Sequence, residues 1–285
     1  MCNFARNKSP NIQDMLSTTD IFSRKEPVIM GILNVTPDSF YDGGRHKDLN
    51  DVLKHCETMI EEGADVIDIG AFSTRPGSVV ITPKEELNRI IPALDIIRTN
   101  FPEVVISIDT YRQCVAEAVY NAGADIINDI SGGIFDENML KFIGTKHIPY
   151  ILMHITGKIN NMHKELISDN VCFKVKTFFE KQIDELLQYG EQQIILDPGI
   201  GFNKTMECNF ELLNHIEDYR VGNYPILIGI SHKSLIYKTL GITPQEATNG
   251  TTVLNTIALL RGADILRVHK VKETIEIVKL LQQLK

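Results

Sequence analysis

The chain has 285 residues, 43% of them hydrophobic and 23% charged, with a net charge of −8 at neutral pH. That length allows one or two domains around a sizeable core, and the acidic balance argues against a broad nucleic-acid-binding face while leaving room for a local basic pocket. The five cysteines are scattered and form no CxxC pair, which fits packing or surface thiols in a reducing compartment rather than a disulfide or zinc framework.

Residues 1–24 carry Asn, Gln, Asp, Ser and Thr throughout and have no apolar centre of the signal-peptide kind, so they read as a poorly ordered N-terminal extension. No later run reaches membrane-spanning length, and the expected location is the cytoplasm. Residues 25–285 read as one catalytic domain. Val28–Val35 is the first strand, stopped by Thr36-Pro37 because proline removes a donor and disfavours helix before it. A helix over 49–62 follows, with Val52, Leu53, Cys56, Met59 and Ile60 at helical spacing. Asp65–Gly70 is the second strand. Thr82, Pro83 and Glu85 open the next helix as a capping box. Strands are predicted at 104–110, 125–130, 149–154, 193–199, 224–230 and 263–270. Helices are predicted at 112–121, 137–146, 169–189, 206–219, 244–261 and 271–284.

The alternation is β then α, eight times, and the strands are continuous apolar runs suited to burial on both faces. Gly-Ala-Asp recurs at 63–65, 123–125 and 262–264, each time between a helix and a strand. The expected architecture is a single α/β domain, a (β/α)8 TIM barrel, with a doubly wound open sheet as the alternative.

Polar residues stand at the carboxyl ends of these strands, where a barrel places its site. In chain order they are Asn34, Ser73-Thr74-Arg75, Asp109, Asn128-Asp129, His154, Asp197, Ser231-His232-Lys233-Ser234, and Arg267 with His269. Alternation puts Arg267 and His269 on one face and sends Asn128 and Asp129 opposite ways; Asn128 is assigned to the barrel axis. Asp109, Asn128 and Asp197 suit the donor–acceptor edge of a flat heterocycle, and lack the Cys or paired His that zinc prefers. Lys233, Arg267 and His269 suit phosphate or a leaving diphosphate. Asn34 offers a neutral oxygen to Mg2+ held chiefly by phosphates and water. His154 reads equally well as an orienting residue or a ligand contact. No Walker loop or GxGxxG fingerprint is present.

Several long motifs then appear in order: Asn34-Val35-Thr36-Pro37-Asp38-Ser39-Phe40, Ser73-Thr74-Arg75-Pro76-Gly77, Asp197-Pro198-Gly199-Ile200-Gly201-Phe202, Ser231-His232-Lys233-Ser234 and Arg267-Val268-His269. With them the chain, from about Pro27 to its end, resembles the dihydropteroate synthase family. The resemblance implies condensation of 6-hydroxymethyl-7,8-dihydropterin diphosphate with p-aminobenzoate, giving dihydropteroate and diphosphate. It implies a pterin pocket of Asp109, Asn128, Met153, Asp197 and Lys233. It implies a diphosphate site of Asn34, Thr74, Arg267 and His269, with Mg2+ at Asn34. The p-aminobenzoate pocket would comprise Phe40, Pro76, Phe202, Lys233 and Ser234. Catalytic roles fall on Asn34, Asp109, Asp197, Lys233, Arg267 and His269. The resemblance also implies a homodimer that sulfonamides inhibit; closure of the loops after strands one and two over the site, to exclude water from the cation, is expected on mechanistic grounds. The pattern departs at His232, where the family commonly has Arg, and at Ala71-Phe72, where many members have Gly and Glu. The rival readings are a pterin-binding methyltransferase acting on methyltetrahydrofolate and a non-catalytic pterin-binding paralogue.

Overall fold

The computed structural model describes residues 17–23, 26–35, 45–71, 81–157 and 166–284. Among them are eight strands: β1 Val28–Asn34, β2 Val66–Gly70, β3 Val105–Asp109, β4 Ile126–Asp129, β5 Tyr150–Met153, β6 Ile194–Asp197, β7 Leu227–Ile228 and β8 Ile265–Val268. All pair in parallel, in the order β6-β5-β4-β3-β2-β1-β8-β7. Leu196 of β6 bridges to Ile226 just before β7, and its N–H donates to the Pro225 carbonyl at 2.8 Å. That bridge joins the two outermost strands, so the sheet is a nearly closed TIM barrel, as the β-then-α alternation requires.

α1 Thr18–Ser23 packs at the floor end of the barrel, and helices wrap the outside: α2 Arg45–Glu62, α3 Pro83–Asn100, α4 Gln113–Asn121, α5 Met139–Lys146, α6 Val171–Leu187, α7 Met206–Asn214, α8 Ser234–Leu240, α9 Thr248–Leu260 and α10 Val271–Gln282. The capping box at α3 forms as expected: Glu85 N–H donates to Thr82 Oγ1 at 3.2 Å, and Thr82 N–H donates to Glu85 Oε2 at 2.8 Å. The Gly-Ala-Asp echo has a physical meaning. Asp65, Asp125 and Asp264 each accept, at 2.8 Å, a backbone N–H at or just before the start of a neighbouring strand, from Ile29, Ile106 and Ile226 respectively. Each glycine before them takes a positive φ, near +100°, that ends its helix.

Strand alternation divides the core. Ile29, Ile67, Ile106, Ile127, Tyr150, Leu196 and Leu266 face the helices in one large cluster. Val28, Met30, Val66, Val105, Ile126, Ile151, Ile195, Leu227 and Ile265 face inward and fill the barrel floor.

Two expectations are corrected, for the seventh strand and for the helix over 244–261, and one segment gains detail. Within the segment read as a poorly ordered extension, residues 18–23 form α1, and its Ile21 is buried against the floor. Ile21, with Phe22 packed beside it, anchors that turn because the barrel end offers an apolar seat, worth about 1.5–3 kcal/mol for a fully buried side chain. The seventh strand is shorter than 224–230, because Pro225 has no N–H for a ladder. The helix expected over 244–261 is a 3-10 turn at Pro244–Glu246 followed by α9, and α8 precedes both.

Candidate active site

One layer above the floor the inward positions turn polar. In β2, Val66 is followed in phase by Asp68 and Gly70; in β3, Val105 is followed by Ser107 and Asp109. Asn128 in β4, Met153 in β5, Asp197 in β6 and Arg267 in β8 complete the ring. Asp109 is the register partner of Asn128, and Met153 of Asp197. Asn34 ends β1 opposite Gly70, exposed at the rim. A Cβ at Gly70 would lie 3.6 Å from Asn34 Oδ1 and 3.7 Å from Asp109 Oδ2, so that glycine keeps the approach between them open.

The carboxylate–amide set and the basic set, separate in the sequence reading, are joined here. Arg267 Nη2 donates to Asp109 Oδ2 at 3.1 Å, and Arg267 Nε donates to Asp68 Oδ2 at 2.6 Å. Asn128 Nδ2 donates to the same Asp68 oxygen at 3.2 Å. Asp68 is fully buried, and alternation alone marks it as an inward polar residue in phase with Val66. It went unassigned because it lies inside the apolar run DVIDIG.

Asn128, not its neighbour, faces the axis. Asp129 points away and accepts from Ser131 N–H and Oγ, Gly133 N–H and Tyr150 Oη, all at 2.7–2.8 Å, so it fastens the loop after β4.

Lys233 precedes α8. Its Nζ donates to the Ile200 carbonyl at 2.5 Å and lies 4.7 Å from the centre of the Phe202 ring. The loop that presents Phe202 is braced by Lys204, also unassigned from sequence. Lys204 Nζ is buried and donates to the carbonyls of Gly199 at 2.9 Å, Phe202 at 3.0 Å and His154 at 3.4 Å. Gly199 takes φ +66°, and a Cβ there would collide with the His154 carbonyl. Met153, Phe202, Tyr111, Ile130, Ile155 and Phe135 form a small apolar cluster apart from both larger ones.

Electrostatics follow from this crowding. Burial pushes Asp109 up to about 7 against the opposing pull of Arg267, with Asp68, Glu86 and Asp129 adding to the rise. Burial also raises Asp197, offset in part by Lys233. Burial brings the Lys233 ammonium down to about 8, with Asp197 opposing. For Arg267 burial works against the charge, but Asp68 and Asp109 outweigh it and its pKa is raised.

His269 lies beside Ser231, with its N–H 3.2 Å and its Nδ1 3.0 Å from the Ser231 hydroxyl, and stacks edge-on to His232 at 5.7 Å. His232 itself, at φ +55°, turns Nδ1–H to the Pro244 carbonyl at 2.7 Å. It is therefore held by α9's leading turn. His154 is buried against Phe178 of α6, with ring centres 5.0 Å apart, and burial drives its pKa well down; of its two readings, the orienting one fits. Ser234 opens α8, half-buried beside Lys233. Phe40, Thr74, Arg75 and Pro76, and the loops that carry them, lie outside the described residues.

Buried acids, an amide, a lysine and an arginine thus converge on the carboxyl ends of a barrel whose strands are otherwise apolar. The chemistry of such a mouth suits a planar, hydrogen-bonding ring with an anionic substituent. The chain belongs to the family described as pterin binding enzyme, whose match covers residues 30–269. Its relatives are more particular. It is 40% identical over 258 residues to the dihydropteroate synthase of Escherichia coli strain K12, covering 90% of this chain and 91% of that one. Among solved structures it is similar to the dihydropteroate synthase of Clostridium difficile in the presence of pteroic acid, with a TM-score of 0.84, 36% identity, and 91% and 97% of the two chains covered. It is similar also to the Yersinia pestis dihydropteroate synthase in a sulfonamide drug complex, with a TM-score of 0.83, 35% identity, and 100% and 99% covered.

Proposed function

We propose that this chain is a transferase of folate biosynthesis that condenses 6-hydroxymethyl-7,8-dihydropterin diphosphate with p-aminobenzoate, yielding dihydropteroate and diphosphate. The observation that carries this reading is the junction of the two residue sets: Arg267 reaches Asp109 at 3.1 Å, so a ring bound at Asp109 has its anionic substituent beside a guanidinium.

The chemistry divides among the residues as follows. Asp109, Asn128 and Asp197 accept from and donate to the pterin edge, and Met153 packs on its face. The carbon–oxygen bond to diphosphate breaks, and its electron pair leaves with the diphosphate oxygen. Arg267 and His269, with Thr74 and Asn34, take the developing negative charge. The buried carboxylates favour the electron-poor pterin methylene that remains. The aniline nitrogen of p-aminobenzoate, seated by Phe40, Pro76, Phe202, Lys233 and Ser234, attacks that carbon with its lone pair. The new bond forms and the nitrogen loses a proton, a step that requires no strong base. A role for Lys233 in both seats is supported by its contact with Phe202 and by the field of Asp197.

Among the described residues no group of three or more His, Cys, Asp or Glu side chains is arranged to hold a metal ion. The donor set instead fits Mg2+ carried mainly by substrate oxygens and water, with Asn34 Oδ1 as the protein's contribution at the open rim. When bound there, Mg2+ neutralises the leaving diphosphate. A homodimer is supported by exposed apolar side chains on two adjacent helices, Val253 and Leu260 of α9 and Leu280 of α10. Among the described residues no helix is long and apolar enough to cross a membrane, which suits action in the cytoplasm.

A methyltransferase acting on methyltetrahydrofolate would use the pterin set but not the anchored Arg267. The test is diphosphate release from purified protein with dihydropterin diphosphate and Mg2+. Release that depends on p-aminobenzoate and forms dihydropteroate is expected. Release without p-aminobenzoate, or pterin binding with no release, would overturn the reading.

A further inference from the structure

We propose that Asp68 is the positioning residue of the mouth, a single buried carboxylate oxygen that sets Arg267 for the anionic part of the substrate and Asn128 for its ring. The inference rests on the reading of the site given above. Asp68 Oδ2 accepts from both residues, at 2.6 Å and 3.2 Å. Its partners are not its neighbours in the sheet. β1 stands between β2 and β8, and β3 between β2 and β4. On those intervening strands the register partners of Asp68 are Ile32 and Ser107. Ile32 offers no hydrogen bond, and Ser107 Oγ has no partner among the described residues. The carboxylate therefore ignores the adjacent strands and ties β8 to β4 across the barrel interior.

A fully buried carboxylate is costly unless it is paired, and this one has one oxygen, Oδ1, with no partner among the described residues. Packing alone would place an apolar residue here, as it does one layer below at Val66. What the acid provides is direction. By holding Nε, it leaves the Nη groups of Arg267 toward Asp109 and the open mouth; the Arg267 side chain is 20% exposed whereas Asp68 is 0% exposed. Without the anchor the guanidinium has Asp109 as its remaining close acid. There it would fold onto the ring-binding carboxylate instead of meeting the anion.

Asp68→Asn keeps an oxygen able to accept both bonds, while Asp68→Ala removes it; Asp68→Leu fills the volume without an acceptor and replaces the alanine variant if that one does not fold. Inorganic diphosphate binding, followed by calorimetry, and the KM and kcat for pterin diphosphate are measured in each, and again with Arg267→Gln. Asp68→Ala or Asp68→Leu should weaken diphosphate binding roughly tenfold or more and raise the pterin diphosphate KM similarly, with the p-aminobenzoate KM within about twofold. Asp68→Asn should stay within about threefold of the parent, and the loss should shrink below about threefold in the Arg267→Gln background. Equal losses in both backgrounds, an Asn variant as weak as the Ala variant, or a parent chain that does not bind diphosphate would each overturn the proposal. A parent chain that binds diphosphate with this coupling yet forms no dihydropteroate would sink the synthase reading and leave the positioning role standing.

Discussion

The floor and the mouth of this barrel are built from the same strands, one inward position apart, and they obey opposite rules. At the floor, Val66, Val105, Ile126, Ile195 and Ile265 meet Ile21 in an apolar seat. One layer up, Asp68, Asn128, Asp197 and Arg267 occupy equivalent positions, and Asp68 Oδ1 and Asp109 Oδ1 lack partners among the described residues. Burial that stabilises the floor raises Asp109 to about 7 and lowers Lys233 to about 8. The floor contributes stability, whereas the mouth holds unfavourable charge in a form that a ligand can relieve.

The contrast can be broken from either end. Lys233→Ala should give the largest effect, a loss of about 3 kcal/mol of transition-state stabilisation seen in kcat/KM. Near-native turnover in that variant would contradict its role in both substrate seats. Ile21→Ala should do the reverse, lowering unfolding stability by about 2 kcal/mol in denaturant titrations while leaving both KM values unchanged. A third effect concerns pH. On the proposed reading, ring binding needs Asp109 ionised and Lys233 protonated. Pterin affinity measured by calorimetry should therefore fall by up to tenfold per pH unit below about 7, and decline again above about 8. A flat profile across that range would remove both groups from the ring site.

Much of this was legible in the sequence because the barrel repeats one local rule. An apolar strand followed by a polar end located Asn34, Asp109, Asn128, Asp197, Arg267 and His269, and period-two alternation separated Asn128 from Asp129. Asp68 was missed because it sits inside an apolar run, where an acid looks like an accident until the partner two strands away is known. Lys204 was missed because its role lies in three backbone carbonyls that carry no sequence mark. α8 has too few turns to show a helical period, and α1 depends on Ile21 and Phe22 finding the floor. The link between Arg267 and Asp109 is tertiary, joining residues 158 positions apart, so local pattern separated what the fold unites.

The most direct test is Asp109→Asn, read for stability and activity in the same preparation. The folded-state pKa of Asp109, about 7, lies above its ordinary value of 3.8, so the folded chain holds a proton that the unfolded chain has released. Stability from this group is present at low pH and is lost as pH rises toward about 7. At about pH 8 the Asn variant should therefore be more stable than the parent by at least about 1 kcal/mol, while kcat/KM for the pterin diphosphate falls by about a hundredfold or more. A variant that loses stability along with activity would mean that Asp109 holds the barrel together and is not a strained ligand-binding acid.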